Sequence, residues 1–209
     1  MRPLHFLHIR KAGGSAIKAA LAPFAQDHGI VLHTHDVRLR DIGREAVAFS
    51  LRHPVTRFVS GFNSRFRKGR PRYDIPWRED EQRAFELFPT PDSLARALTT
   101  GPHQAEARDA LRSIPHLALP LTYWMTLEEV RSANVAWMGF QETLNEDFER
   151  LKDLLNLPAE LKLPMEDYLS HRAPADSSVE LSDLSRSNIL NWYADDVRLY
   201  EALRNTGTP

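Results

Sequence analysis

Apolar and polar positions alternate along this chain in two rhythms. Short apolar runs of strand length are followed by stretches in which apolar residues recur every three or four positions. Leu4 to Ile9 is the first run, and Ser15 to about Asp27 follows as a helix with Ile17, Ala20, Leu21 and Phe24 on one face. Pro23 falls inside that segment and is expected to end or kink the helix, and His28-Gly29 closes it. Ile30 to His33 reads as a second strand and Val37 to Arg44 as a helical turn. Ala46 to Leu51 is a near-continuous apolar run that suits a parallel strand covered on both faces. Pro54 then fits the first position of a helix carrying Arg57, Phe58, Phe62 and Arg65.

The second half is more helical. Glu79 to Leu87, Asp92 to Leu98 and Gln104 to Leu111 read as short helices separated by prolines, a helical insertion or lid. Leu117 to Trp124 fits neither rhythm. Val135 to Phe140 reads as another buried strand. Gln141 to Leu155 is an amphipathic helix, and Leu181 to Leu203 a final helical region whose aromatic residues suit a core. Strand-helix-strand-loop-strand-helix predicts an α/β fold with sites at the strand C-termini. The 209 residues suit one domain, with no internal repeat or linker.

Composition changes this picture little. A hydrophobic content of 42% and a charged content of 26% argue against disorder. A net charge of −1 gives no global drive toward nucleic acid or anionic membrane, so any anion site must be local. The absence of cysteine excludes disulfides, thiolate nucleophiles and cysteine metal sites. No run approaches the roughly 18 apolar residues of a membrane span, and Leu4 to Ile9 is too short for a signal segment. The expectation is a soluble, cytoplasmic protein.

The candidate chemistry begins where the first strand ends. Arg10 and Lys11 precede Gly13-Gly14-Ser15, which opens the first helix. A glycine turn from strand to helix lets an anion approach bare backbone, and the helix N-terminus adds partial positive charge. Ser15 can serve as helix N-cap or donate its hydroxyl to the anion. The lysine precedes the glycines, so this is neither the nucleoside-triphosphate loop nor the Rossmann fingerprint. A tight turn with ordinary capping is the other reading. The second stretch is Arg52 to Ser60, with arginine at a strand end and serine in the next helix, both able to reach one phosphate. Arg57 is a further basic candidate.

Together, His8-Ile9-Arg10-Lys11-Ala12-Gly13-Gly14-Ser15 and Arg52-His53-Pro54-Val55-Thr56-Arg57-Phe58-Val59-Ser60 resemble the sulfotransferases that use 3′-phosphoadenosine 5′-phosphosulfate (PAPS). The likeness is greatest to the carbohydrate (heparan/uronyl) 2-O-sulfotransferase-like branch. There the first loop reads His-Ile-Pro-Lys-x-Gly-Gly/Ala-Thr/Ser and the second Arg-Asp-Pro-x-x-Arg-x-x-Ser. Arginine replaces proline in the first motif here, and histidine replaces aspartate in the second. Met138-Gly139-Phe140-Gln141-Glu142 and the helix after it extend the likeness over most of the chain. The resemblance implies a P-loop-like three-layer fold with a central, mainly parallel sheet and a helical insertion. It implies that Lys11, Ala12, Gly13, Gly14, Ser15 and Ala16 hold the 5′-phosphosulfate, and that Arg52 and Ser60 hold the 3′-phosphate. His33-Thr34-His35 matches a His-Gly-His type segment in which the second histidine is the general base, which places that role on His35. A neutral imidazole at a strand end can accept a hydroxyl proton at pH 7.

Lys11 then joins His35 as a catalytic residue, stabilising charge on the transferring sulfuryl group. His33 is a structural or secondary substrate contact. Exposed loop histidines and a metal pair are the other readings of His33 and His35, though only Asp36 stands near enough to extend a metal set. Arg65, Arg67, Lys68, Arg70 and Arg72, with Tyr73 and Trp77, form a basic loop. It is either solvated surface or a cleft for an anionic glycan, with Arg70, Arg72 and Tyr73 as substrate contacts. His171, Arg172 and Ser177 are candidates for a loop over the nucleotide. The acceptor is a carbohydrate or another hydroxyl compound. A nucleotide-dependent kinase or phosphotransferase, and a non-catalytic nucleotide- or glycan-binding protein, are the alternatives.

Overall fold

The computed structural model describes residues 3–164 and 180–206. Four strands, β1 (Leu4–Leu7), β2 (Ile30–Leu32), β3 (Ala46–Leu51) and β4 (Asn134–Phe140), form one sheet in the order β2-β1-β3-β4. All three pairings are parallel, with Leu4 opposite both Ile30 and Ala46, and Leu51 opposite Phe140. The expected α/β class with a parallel sheet is therefore the observed one. The apolar runs are continuous because alternate residues feed different layers. Leu4, Phe6, Ala48 and Trp137 pack on one face against α1 (Gly14–Leu21) and α8 (Leu144–Leu155). Leu7, Val47, Phe49, Leu51 and Met138 pack on the other against Trp124 and the last helix, α10 (Ala194–Asn205).

Between β3 and β4 lie α3 (Pro54–Phe66), α4 (Glu79–Leu87), α5 (Pro91–Ala97) and α6 (Gln104–Ser113). With α9 (Asp183–Trp192) they close a second apolar cluster around Phe58, Phe62, Phe85, Leu94, Leu111 and Ile189. This is the expected helical insertion. Two short helices, α2 (Leu39–Ile42) and α7 (Leu127–Ser132), complete the described helices.

Three boundaries differ from expectation for local reasons. The first helix stops at Leu21, and Pro23 sits in a 3-10 turn over Ala22–Phe24, because its ring cannot continue the α ladder. The helix expected from Gln141 begins as a 3-10 turn, Gln141–Thr143. There the buried Asp147 carboxylate accepts from the Phe140 N–H (2.6 Å) and the Thr143 hydroxyl (2.9 Å). The final helical region divides at Tyr193, whose hydroxyl donates to the Leu117 carbonyl from within the core. No helix among the described residues is long and apolar enough to cross a membrane.

Candidate active site

The strand order fixes where chemistry can sit. The connection leaving β1 runs to β2 on one side, and that leaving β3 runs to β4 on the other, so a crevice opens between the C-terminal ends of β1 and β3. Arg10 and Lys11 follow the first of these ends, and Arg52 follows the second. Lys11 has a positive φ of 65° and Gly13 one of 87°. Two left-handed residues in three curl the backbone back over the start of α1. Gly13, not Ser15, is the N-cap, because the cap position lies in the region where only glycine is unstrained. Ser15 sits inside the first turn, so of the two roles expected for it the capping one is excluded. The first intrahelical bonds run from the Ala16 and Ile17 N–H groups to the Gly13 carbonyl (3.1 and 3.4 Å), leaving the earlier amides to face the crevice end.

Both glycines are sterically required. A Cβ on Gly13 would lie 2.5 Å from Gln141 Oε1, and one on Gly14 would lie 2.4 Å from Cδ2 of His8. The cradle is braced from beneath. Ser50 in β3 donates its hydroxyl to the Ala12 carbonyl (2.6 Å), and Arg57 Nε donates to the Arg10 carbonyl (3.1 Å). Arg57 is buried, and it also donates to the Leu119 carbonyl (2.6 Å) and lies 3.8 Å from Asp196. It is committed to the scaffold, which removes it as a ligand candidate.

The second motif meets the first. Burial and then the charges of Arg52, Arg67 and Arg57 push the Lys11 ammonium down from 10.5 to about 7. The strand-end arginine and the cradle lysine thus share one electrostatic site. Arg52 Nε donates to the Thr56 hydroxyl (3.2 Å), with Ser60 one turn further along the same helix. His53 stands where the related motif has aspartate, and it does a capping residue's work: its Nδ1 accepts from the Val55 N–H at 3.3 Å. Glu142, from the turn after β4, accepts from the His53 N–H (3.0 Å), the Thr56 hydroxyl (3.2 Å) and the Tyr200 hydroxyl (3.0 Å). Gln141, Glu142 and Thr143 also line a cavity of about 280 Å³ beside Gly13 and Ala16.

The two histidines after β2 part company. His33 Nε2 is 2.8 Å from His5 Nδ1, and its carbonyl accepts from Lys18 Nζ (2.7 Å). Its ring is stacked on His5, a structural position. His35 turns toward the cradle. Its Nδ1 lies 3.3 Å from the His8 carbonyl, its ring packs 3.9 Å from the His8 ring, and its own carbonyl accepts from Trp124 Nε1 (2.8 Å). Donation from Nδ1–H to that carbonyl leaves Nε2 as the basic nitrogen. Burial, with smaller contributions from Arg10 and Lys18, holds His35 below 6.5, so the ring is neutral at pH 7.

The basic loop separates into scaffold and rim. Arg65 is buried and grips Glu81 with two bonds of 2.6 and 2.8 Å, while Trp77 Nε1 donates to the Arg65 carbonyl (2.8 Å). Arg70 is exposed and paired with Asp74 at 2.7 Å. Tyr73 folds over Gly69, where a Cβ would lie within 1.7 Å of the ring. Arg72 is exposed; burial and, after it, the charge of Arg72 lower the pKa of Lys18, whose ammonium donates to the His33 carbonyl. His171, Arg172 and Ser177 lie outside the described residues.

Two residues near Lys11 were not singled out as site candidates from the sequence. Arg67 follows Ser60 by seven positions, a spacing that puts both on one side of α3 and its continuation. His116 lies just before the stretch without a rhythm, between the expected helix ending at Leu111 and Leu117, and nothing in the sequence marks it. A family model described as the sulfotransferase family matches residues 2–201. Nothing among curated proteins or among solved structures matches the chain.

Proposed function

The chain belongs to the sulfotransferase family, and from that premise we propose that it moves a sulfuryl group from PAPS to a hydroxyl of a carbohydrate or another small acceptor. The observation that carries this reading is the convergence of Lys11 and Arg52 from adjacent strand ends onto a glycine cradle. The donor's two anionic ends need two such anchors. The amides of Gly13, Gly14 and Ser15 and the Ser15 hydroxyl suit the 5′-phosphosulfate, with Ala12 and Ala16 flanking. Arg52 and Ser60 suit the 3′-phosphate.

In the proposed step the acceptor oxygen attacks sulfur in line. The new O–S bond forms as the bond from sulfur to the bridging oxygen breaks, and the 3′,5′-bisphosphate leaves with that oxygen. The acceptor proton passes to Nε2 of His35, whose other nitrogen is held by the His8 carbonyl. Lys11 balances charge on the sulfuryl group and the bridging oxygen. By analogy with phosphoryl transfer, positioning and charge stabilisation supply most of the rate.

Thermal stabilisation separates this reading from nucleoside-triphosphate chemistry. Adenosine 3′,5′-bisphosphate should raise the melting temperature, and ATP with Mg²⁺ should not. Turnover of PAPS with a panel of hydroxyl acceptors then distinguishes an enzyme from a binder. Stabilisation by ATP with Mg²⁺ alone would overturn the proposal.

A further inference from the structure

Residues 115–119 are tied to the cradle by two arginines. Arg10 Nη1 donates to the Pro115 carbonyl (3.4 Å) and Arg57 Nη2 to the Leu119 carbonyl (2.6 Å), so both ends of the segment are pinned to the machinery beneath. Between them the backbone settles onto α3 at Gly61, where a Cβ would lie 3.0 Å from the His116 carbonyl oxygen and 3.2 Å from its Cβ. The chain at His116 is thus packed against α3, next to the carbonyl that Arg10 holds.

Both nitrogens of that ring are buried and without a hydrogen-bond partner in the protein. Nε of Arg10 and Nε of Arg67 are in the same condition. These atoms belong to one neighbourhood. The cations acting on His116 are Lys11, Arg10 and Arg65, in that order, and Arg67 is among the charges acting on Lys11. Arg65 is neutralised by Glu81, which leaves Lys11 and Arg10 as the uncompensated cations. A buried polar atom without a protein partner is costly, and such a group calls for a water, an ion or a ligand to complete it. Burial and the surrounding cations hold His116 well below 6.5, so its neutral ring offers one donor and one acceptor.

Resting on the sulfuryl-transfer reading above, we infer that His116 is a third side chain of the transfer centre, whose ring N–H donates to a non-bridging oxygen of the sulfuryl group held by Lys11. No proton leaves or joins the ring in this role. A neutral donor stabilises the charge on those oxygens without adding another cation to a pocket that already depresses Lys11.

The test compares His116→Ala and His116→Gln with the wild type in PAPS turnover, adenosine 3′,5′-bisphosphate affinity and unliganded melting temperature. The bisphosphate lacks the sulfuryl group and is the internal control. His116→Ala should lower turnover on the order of 10²-fold, the typical loss of one such donor, with bisphosphate affinity unchanged at a temperature where the melting curve shows the variant folded. His116→Gln keeps an N–H of similar reach and should recover most of the loss. Wild-type turnover in the alanine variant overturns the inference. So does a loss of bisphosphate affinity matching the loss of turnover, or a glutamine variant as slow as alanine. A wild type that neither binds the bisphosphate nor consumes PAPS overturns the underlying reading and this inference together, whereas an active wild type with an unaffected alanine variant overturns His116 alone.

Discussion

Replacing Lys11 by methionine should stabilise the unliganded protein while abolishing transfer. The structure holds this ammonium at about 7 against an ordinary 10.5. Burial contributes most, and Arg52, Arg67 and Arg57 add to it. A displacement of that size corresponds to ~5 kcal/mol against the folded state, taken as a ceiling because the side chain keeps partial contact with water. Methionine keeps the aliphatic reach and the positive φ and removes the charge, so the comparison isolates the electrostatic part. Half of the ceiling would raise the melting temperature of a domain this size by ~5–10 °C. The pH dependence follows from the direction of the shift. Between the folded value near 7 and the unfolded value of 10.5 the unfolded chain binds more protons, so the wild type gains stability as pH rises through that window. The penalty is fully present below pH 7. The advantage of Lys11→Met should therefore be constant between pH 5 and 6.5 and should shrink above pH 7 by up to ~1.4 kcal/mol per pH unit. Denaturant unfolding of both proteins at pH 6, 7, 8 and 9 measures this directly. A variant no more stable than wild type at pH 6, or an advantage that does not narrow by pH 9, would refute the argument.

Other perturbations separate the remaining roles. His35→Ala should slow turnover roughly 10²–10⁴-fold and leave bisphosphate binding intact; because burial lowers the ring's pKa, the wild-type rate should fall only as pH drops below 6.5. Lost nucleotide affinity with unchanged turnover would exclude the base role. Arg52→Ala should weaken adenosine 3′,5′-bisphosphate far more than adenosine 5′-phosphate in calorimetric titrations, and equal losses would remove the 3′-phosphate assignment. Gly14→Ala drives a Cβ to within 2.4 Å of the His8 ring that packs on His35, so binding and turnover should fall together. Glu81→Ala leaves the buried Arg65 without its carboxylate and should cost about 3–5 kcal/mol in unfolding experiments, with no selective effect on ligand affinity at temperatures where the variant is folded.

The layer structure was legible because the strands are mostly apolar runs and the long helices that follow β1, β3 and β4 each show one apolar face. Ala46 to Leu51 and Pro54 to Phe66 were readable almost to the residue, since Pro54 marks the boundary sharply. Splits such as the one at Tyr193 were hidden, because both flanking segments share one helical rhythm and only a tertiary hydrogen bond to Leu117 marks the break.

For the candidate site the division runs between local and distant neighbours. Gly13 and Gly14 announce themselves because a curled strand-to-helix turn admits no Cβ, a demand that the adjacent residues already express. The sequence by itself determined the cradle, the strand-end arginine and the histidine pair, together with the order in which the strands deliver them. Only the tertiary structure decided which of these groups are free to act. It buried Arg57 and Arg65 in scaffold contacts, turned His33 onto His5 and His35 toward the cradle, and brought His116 from a segment more than one hundred residues away into the field of Lys11. The physical reason is that desolvation and charge proximity depend on distance in space. Spacing along the chain reports such distances only within a helix, a strand or a turn.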